Sequence, residues 1–225
     1  MACWRGVLRR TAHPLNGRRA QQRHPNPDRH TDRQPGVMPE ASPRCGQNEN
    51  CCPSAPHAHP GHTDMNPEQT HQSAKALAAI LMQQNRMLAT AESCTGGLIA
   101  ATCTDLPGSS AWLERGFVTY SNAAKTELLG VPADLIARHG AVSEPVARAM
   151  AEGAVAHSHA QVSVAVTGVA GPSGGSPDKP VGTVWLGWCV AGHTTTECRH
   201  FSGDRAAVRQ ATVAHALAKL VQLLG

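Results

Sequence analysis

Aromatic residues are scarce in this 225-residue chain, which has one Tyr, two Phe and four Trp. So few rings leave little for a stacking platform, and Trp112, Trp185 and Trp188 are read as core packing. Apolar runs of membrane-spanning length are missing, and no signal-peptide core follows the early arginines, so no membrane partner is expected. Spaced cysteine pairs are missing as well. Of the eight Cys, Cys3, Cys45, Cys51 and Cys52 fall in the first 64 residues, while Cys94, Cys103, Cys189 and Cys198 are dispersed through apolar or strand-like contexts. That is no disulfide framework, and a reducing cytoplasm is the expected location. The segment 51–62 has Cys and His of metal-binding type without the spacing of a structural zinc site, so no metal and no cofactor are expected.

Lysine is absent from residues 1–64, which hold nine Arg, six His and nine of the sixteen Pro. Nine Arg against five acids leave +4, the formal net charge of the whole chain. Such a segment cannot bury enough apolar surface to offset its ordering entropy, so residues 1–64 are expected to be a disordered tail, or a misplaced start ahead of Met65. Residues 65–225 form the expected domain and carry eleven basic and eleven acidic residues. A nucleic-acid partner is therefore not expected beyond nonspecific contact by the tail.

What is present begins with Thr90-Ala91-Glu92-Ser93-Cys94-Thr95-Gly96-Gly97, set between the short apolar stretch 87–91 and a helix expected over 98–105. This strand-turn-helix presents the Ser93 hydroxyl beside backbone N–H groups at the positive end of a helix. Ser93 and Thr95 can equally be ordinary helix caps. Cys94 is a rival nucleophile, because the same field activates a thiolate. Glu92 can pair with an arginine or hold the turn.

Apolar spacing at Ala74, Leu77, Ala78 and Leu81 predicts a helix over 67–84. A strand is expected at 116–120, with short helices at 123–129 and from Pro132 through Ala137. A helix follows at 144–158, and a β-branched strand at 162–166 runs into a glycine-rich loop at 167–175. Residues 181–190 and 194–201 read as a hairpin, and residues 205–224 as the last helix. Helices between early strands and a late hairpin predict a mixed, mainly parallel sheet of about five strands covered on both faces. Strand ends and glycine loops then share one rim. Arg205 and Arg209 lie one helical turn apart and can share a face. The loop glycines Gly168, Gly171, Gly174 and Gly175 are either phosphate-contacting or simply structural.

Several ordered blocks together resemble the CinA carboxy-terminal domain family: residues 90–97, Gly116-Phe117-Val118-Thr119-Tyr120-Ser121-Asn122-Ala123-Ala124-Lys125, 140–145, 167–175, 179–185 and Gly203-Asp204-Arg205. The resemblance spans essentially all of 67–224 and implies a three-layer α/β/α fold. It also implies a hydrolase of pyridine-nucleotide salvage that converts nicotinamide mononucleotide to nicotinate mononucleotide and ammonia. Some relatives carry a large amino-terminal domain resembling molybdopterin-binding proteins; residues 1–64 are too short and polar to be one, so a stand-alone amidase is expected.

Carried onto this chain, the family pattern makes Ser93 the nucleophile and Lys125 its base, with Tyr120 orienting Lys125 or relaying a proton. Without the resemblance Lys125 reads as a solvated helix lysine near Glu127. The N–H groups of Cys94, Thr95 and Gly96 are oxyanion candidates. Gly168, Gly171, Gly174, Gly175, Arg205 and Arg209 are candidates for the substrate phosphate. The expected partner is a small pyridine nucleotide, and relatives suggest a homo-oligomer. The alternative is a noncatalytic interaction module, since relatives have been associated with competence and DNA-damage responses.

Overall fold

A computed structural model describes residues 67–225. The expectations for residues 1–64, namely a tail or misplaced start, the cluster at 51–62 and nucleic-acid contact, lie outside the described residues. The strands are β1 (Leu88–Glu92), β2 (Leu113–Val118), β3 (Val162–Gly168), β4 (Thr183–Val190) and β5 (His193–His200). The helices are α1 (Pro67–Gln83), α2 (Leu98–Thr104), α3 (Asn122–Leu129), α4 (Ala133–His139), α5 (Glu144–Ala156) and α6 (Arg205–Leu224), with a 3-10 turn at Ser109–Ala111.

The sheet order is β2-β1-β3-β4-β5. β1 runs parallel to both β2 and β3, whereas β3-β4 and β4-β5 are antiparallel, so four of the five strands point the same way. This is the mixed sheet that the sequence pattern predicts. Side chains of β1 alternate between its faces. Leu88 joins a core built from Leu77 and Leu81 of α1, Ile99 of α2 and Leu217 and Leu220 of α6. Ala89 and Ala91 join the opposite core, with Leu129 of α3, Ile136 of α4 and Met150 and Ala154 of α5. Both faces of the sheet are therefore covered, giving three layers, and every residue of β1 is buried.

Helix ends follow local chemistry. Ser121 Oγ accepts from the Ala124 N–H and Asp204 accepts from the Ala207 N–H, capping α3 and α6. Gly130 ends α3 at φ 67°, a left-handed conformation glycine adopts without strain. The fully buried Trp112 and Trp188 are core residues, with Trp188 Nε1 donating to the Ala216 carbonyl, while Trp185 is half-buried. Among the described residues no helix is long and apolar enough to cross a membrane.

Candidate active site

The site begins where β1 ends. The Ser93 N–H donates to the Val166 carbonyl (3.0 Å), and the Thr119 N–H donates to the Glu92 carbonyl (2.8 Å), so the turn after β1 is tied to its neighbours on both sides. Alternation along β1 directs Ala89, Ala91 and then Ser93 toward the layer containing α3. From that layer Lys125, only 1% exposed, reaches back with Nζ 3.1 Å from Ser93 Oγ and 2.7 Å from the Thr119 carbonyl oxygen. Burial lowers the Lys125 pKa from its ordinary 10.5, opposed by the nearby Cys94 thiol. The reading of Lys125 as a solvated partner of Glu127 fails, because the side chain points into the protein.

Glu92 faces the other way and holds the turn. It is fully buried, and its carboxylate accepts from Thr90 Oγ1 (3.0 Å), Thr95 Oγ1 (2.7 Å) and the N–H groups of Gly97 (3.0 Å), Ile99 (3.0 Å) and Ala100 (2.9 Å). These amides are orphan donors of the first turn of α2, so Glu92 caps that helix from the preceding strand. Thr95 does not cap α2 itself. Its hydroxyl is given to Glu92 and Gly97 is the N-cap, in a left-handed conformation at φ 98°.

Cys94 follows the alternation in the opposite sense to Ser93 and packs into the α1/α2/α6 core, 6% exposed. Burial pushes its thiol up to about 11, despite the opposing N–H groups of Cys94 and Thr95 and the Lys125 charge. A buried neutral thiol is a poor nucleophile. Of the oxyanion candidates, the Gly96 N–H donates to the Ser93 carbonyl at 3.1 Å.

Two arginines from the first turns of α6 draw three loops together. Arg209 donates to the Thr95 carbonyl (2.8 Å), and Arg205 donates to the Gly171 carbonyl and to Tyr120 Oη, both at 2.9 Å. Tyr120 is 61% exposed. Its hydroxyl meets Arg205, and Lys125 is oriented instead by the carbonyl one residue earlier. An open depression of about 620 Å³ adjoins these arginines, lined also by Ala170, Pro172, Val181 and Gly203. Two of the loop glycines are closely packed: a Cβ on Gly168 would sit 2.7 Å from the Thr183 carbonyl oxygen, and one on Gly171 would sit 2.5 Å from Val181. Gly174 is at φ 91°, and Gly175 lies against the Val181 backbone.

The CinA C-terminal domain model matches residues 70–224. The chain belongs to the CinA C-terminal domain family. Over 150 residues it is 57% identical to a Pseudomonas putida protein named nicotinamide-nucleotide amidohydrolase PncC, covering 67% of this chain and 94% of that one. The protein of the same name in Escherichia coli K12 is 52% identical over 158 residues, covering 69% and 90%. A CinA-like protein of Akkermansia muciniphila is 55% identical over 148 residues; the match covers 65% of this chain and 36% of the longer relative. The crystal structure of the competence/damage inducible protein CihA from Agrobacterium tumefaciens superposes with a TM-score of 0.68 at 44% identity, covering 70% of this chain and 96% of that one.

In this CinA domain the structure brings together Ser93, Lys125 and the turn 94–97, with Tyr120, Gly171, Arg205 and Arg209 forming an adjoining rim. Reading the sequence missed Thr119. No local signal marks it: the register of β1 on β2, with Glu92 opposite Val118, sets Thr119 beside Ser93. Among the described residues no group of His, Cys, Asp and Glu could hold a metal ion.

Proposed function

We propose that this chain is an amidohydrolase that converts nicotinamide mononucleotide to nicotinate mononucleotide and ammonia. The observation that carries the reading is a buried lysine, its pKa lowered by desolvation, 3.1 Å from a serine hydroxyl at the end of a central strand. Two relatives that this chain covers almost completely bear the corresponding name.

In this mechanism the neutral Lys125 amine takes the Ser93 proton as Oγ attacks the carboxamide carbon. The carbonyl electrons move onto oxygen, which receives backbone N–H donation from the Cys94–Thr95 turn. Lys125 ammonium then protonates the leaving nitrogen, ammonia departs, and an acyl ester on Ser93 remains. Water, deprotonated by the same amine, attacks the ester. The tetrahedral intermediate collapses, Ser93 recovers its proton, and the acid is released. Arg205 and Arg209 beside the depression supply the charge for the nucleotide phosphate, with the 168–175 loop as its wall. We further propose that the enzyme self-associates. We also propose that it works in the cytoplasm.

The test is incubation of the purified chain with nicotinamide mononucleotide in EDTA, following ammonia and nicotinate mononucleotide. Product from wild type and none from Ser93→Ala is expected. Turnover retained by a folded Ser93→Ala protein would overturn the nucleophile assignment. No product from a folded wild-type chain would favour a noncatalytic interaction module.

A further inference from the structure

Thr119 is fully buried, and among the described residues its Oγ1 has no hydrogen-bond partner. Buried hydroxyls are nearly always paired, so an orphan of this kind calls for an explanation. The rest of Thr119 is committed to the site. Its N–H is bound to the Glu92 carbonyl, and its carbonyl accepts from Lys125 Nζ. Alternation along β2 sets Thr119 on the same face as Phe117, which packs against the core on the α3 side, the face that Ser93 and Lys125 share.

Lys125 has the complementary shortage. Beyond its bond to Cε, the tetrahedral Nζ has three directions, and among the described residues its partners are two: Ser93 Oγ and the Thr119 carbonyl. At 1% exposure the third direction is not met by bulk water. An unpaired acceptor and an unpaired donor direction thus belong to residues already in contact.

We propose that the Thr119 hydroxyl is a positioning group for Lys125, accepting the third N–H of the ammonium that forms when Ser93 gives up its proton. The inference rests on the Ser93–Lys125 reading above. When the Ser93 proton reaches Nζ, one N–H lies on the Thr119 carbonyl, one faces the reacting oxygen and then the leaving nitrogen, and one falls to Thr119 Oγ1. A torsion about the Thr119 Cα–Cβ bond brings the hydroxyl into play. A hydrogen bond to the charged amine exceeds one to the neutral amine, so it favours the transition state in which charge develops over the free enzyme. Its loss therefore appears in kcat and not in KM.

The experiment compares wild type, Thr119→Val, Thr119→Ser and Lys125→Met for kcat and KM on nicotinamide mononucleotide, with thermal melts as a fold control. Valine has the shape of threonine without the hydroxyl, and removing an orphan polar atom should not lower Tm. The expected result is a kcat roughly 10- to 100-fold lower in Thr119→Val, KM within about 2-fold of wild type, and most of the rate restored in Thr119→Ser. A wild-type kcat in Thr119→Val, or a Thr119→Ser variant as slow as the valine, overturns the proposal. A Lys125→Met protein as active as wild type overturns the dyad and this inference with it. If the wild-type chain shows no amidase activity, a crystal structure decides: Thr119 Oγ1 within about 3.2 Å of Lys125 Nζ supports the contact, and a different partner for Oγ1 overturns it.

Discussion

Lys125 Nζ lies 3.1 Å from Ser93 Oγ across 32 residues of sequence, and the amine has almost no access to solvent. The lysine is thereby placed where its charged form is disfavoured and its neutral form is useful. Lys125→Met should cost about 10² to 10⁴ in kcat/KM for ammonia release. Lys125→Arg should fail similarly, because a guanidinium stays protonated. Comparable turnover in either variant would remove the general-base assignment.

The same burial sets a pH dependence. The folded-state pKa of Lys125 lies below the unfolded value of about 10.5, so the unfolded chain binds the extra proton in the window between them. Stability from this group is lowest below the folded pKa and recovers as pH rises toward 10.5. Denaturant midpoints of wild type should therefore gain on those of Lys125→Met with rising pH through that window. A constant difference would show that Lys125 is not desolvated.

Glu92→Gln should destabilise the domain by about 3 kcal/mol. Oε1 accepts from Thr90 Oγ1 and the Ala100 N–H, and Oε2 from Thr95 Oγ1 and the Gly97 and Ile99 N–H groups, so whichever oxygen becomes NH2 meets at least two donors. Urea unfolding measures this directly. A loss below about 0.5 kcal/mol would mean that the carboxylate is not the cap of α2.

Cys94→Ala should keep turnover within a few-fold of wild type while losing about 1 kcal/mol of stability, since the thiol is core and neutral. In the folded protein at neutral pH Cys94 should resist thiol-specific labelling. Abolished activity in a stably folded Cys94→Ala protein would return the nucleophile to cysteine.

Tyr120→Phe removes a hydrogen bond to Arg205 and none to Lys125. Its effect should fall on KM, raised several-fold, with kcat little changed. A large drop in kcat at constant KM would instead restore a proton-relay role for Tyr120.

The helices and strands were legible because their signals are local: Leu77 and Leu81 repeat at helical spacing, Val162, Val164 and Val166 at strand spacing, and Gly130 and Asp204 mark helix ends. Strand β2 lies earlier than the pattern suggested, Leu113–Val118 against an expected 116–120. It is an edge strand with exposed positions, so its apolar signal is weak. The Ser93 turn was legible as a hydroxyl carried on a strand end. Alternation separates it from Cys94 by sending adjacent residues to opposite faces of the sheet, which leaves Ser93 beside Lys125 and Cys94 in the core. What the sequence by itself determined is thus the element order and the chemistry available in each loop. Only the tertiary structure decided that Glu92 caps α2, that Tyr120 meets Arg205, and that Thr119 and Ser93 flank Lys125. Those contacts depend on strand register and on which face each helix covers, and neither quantity is encoded in the spacing of neighbouring residues.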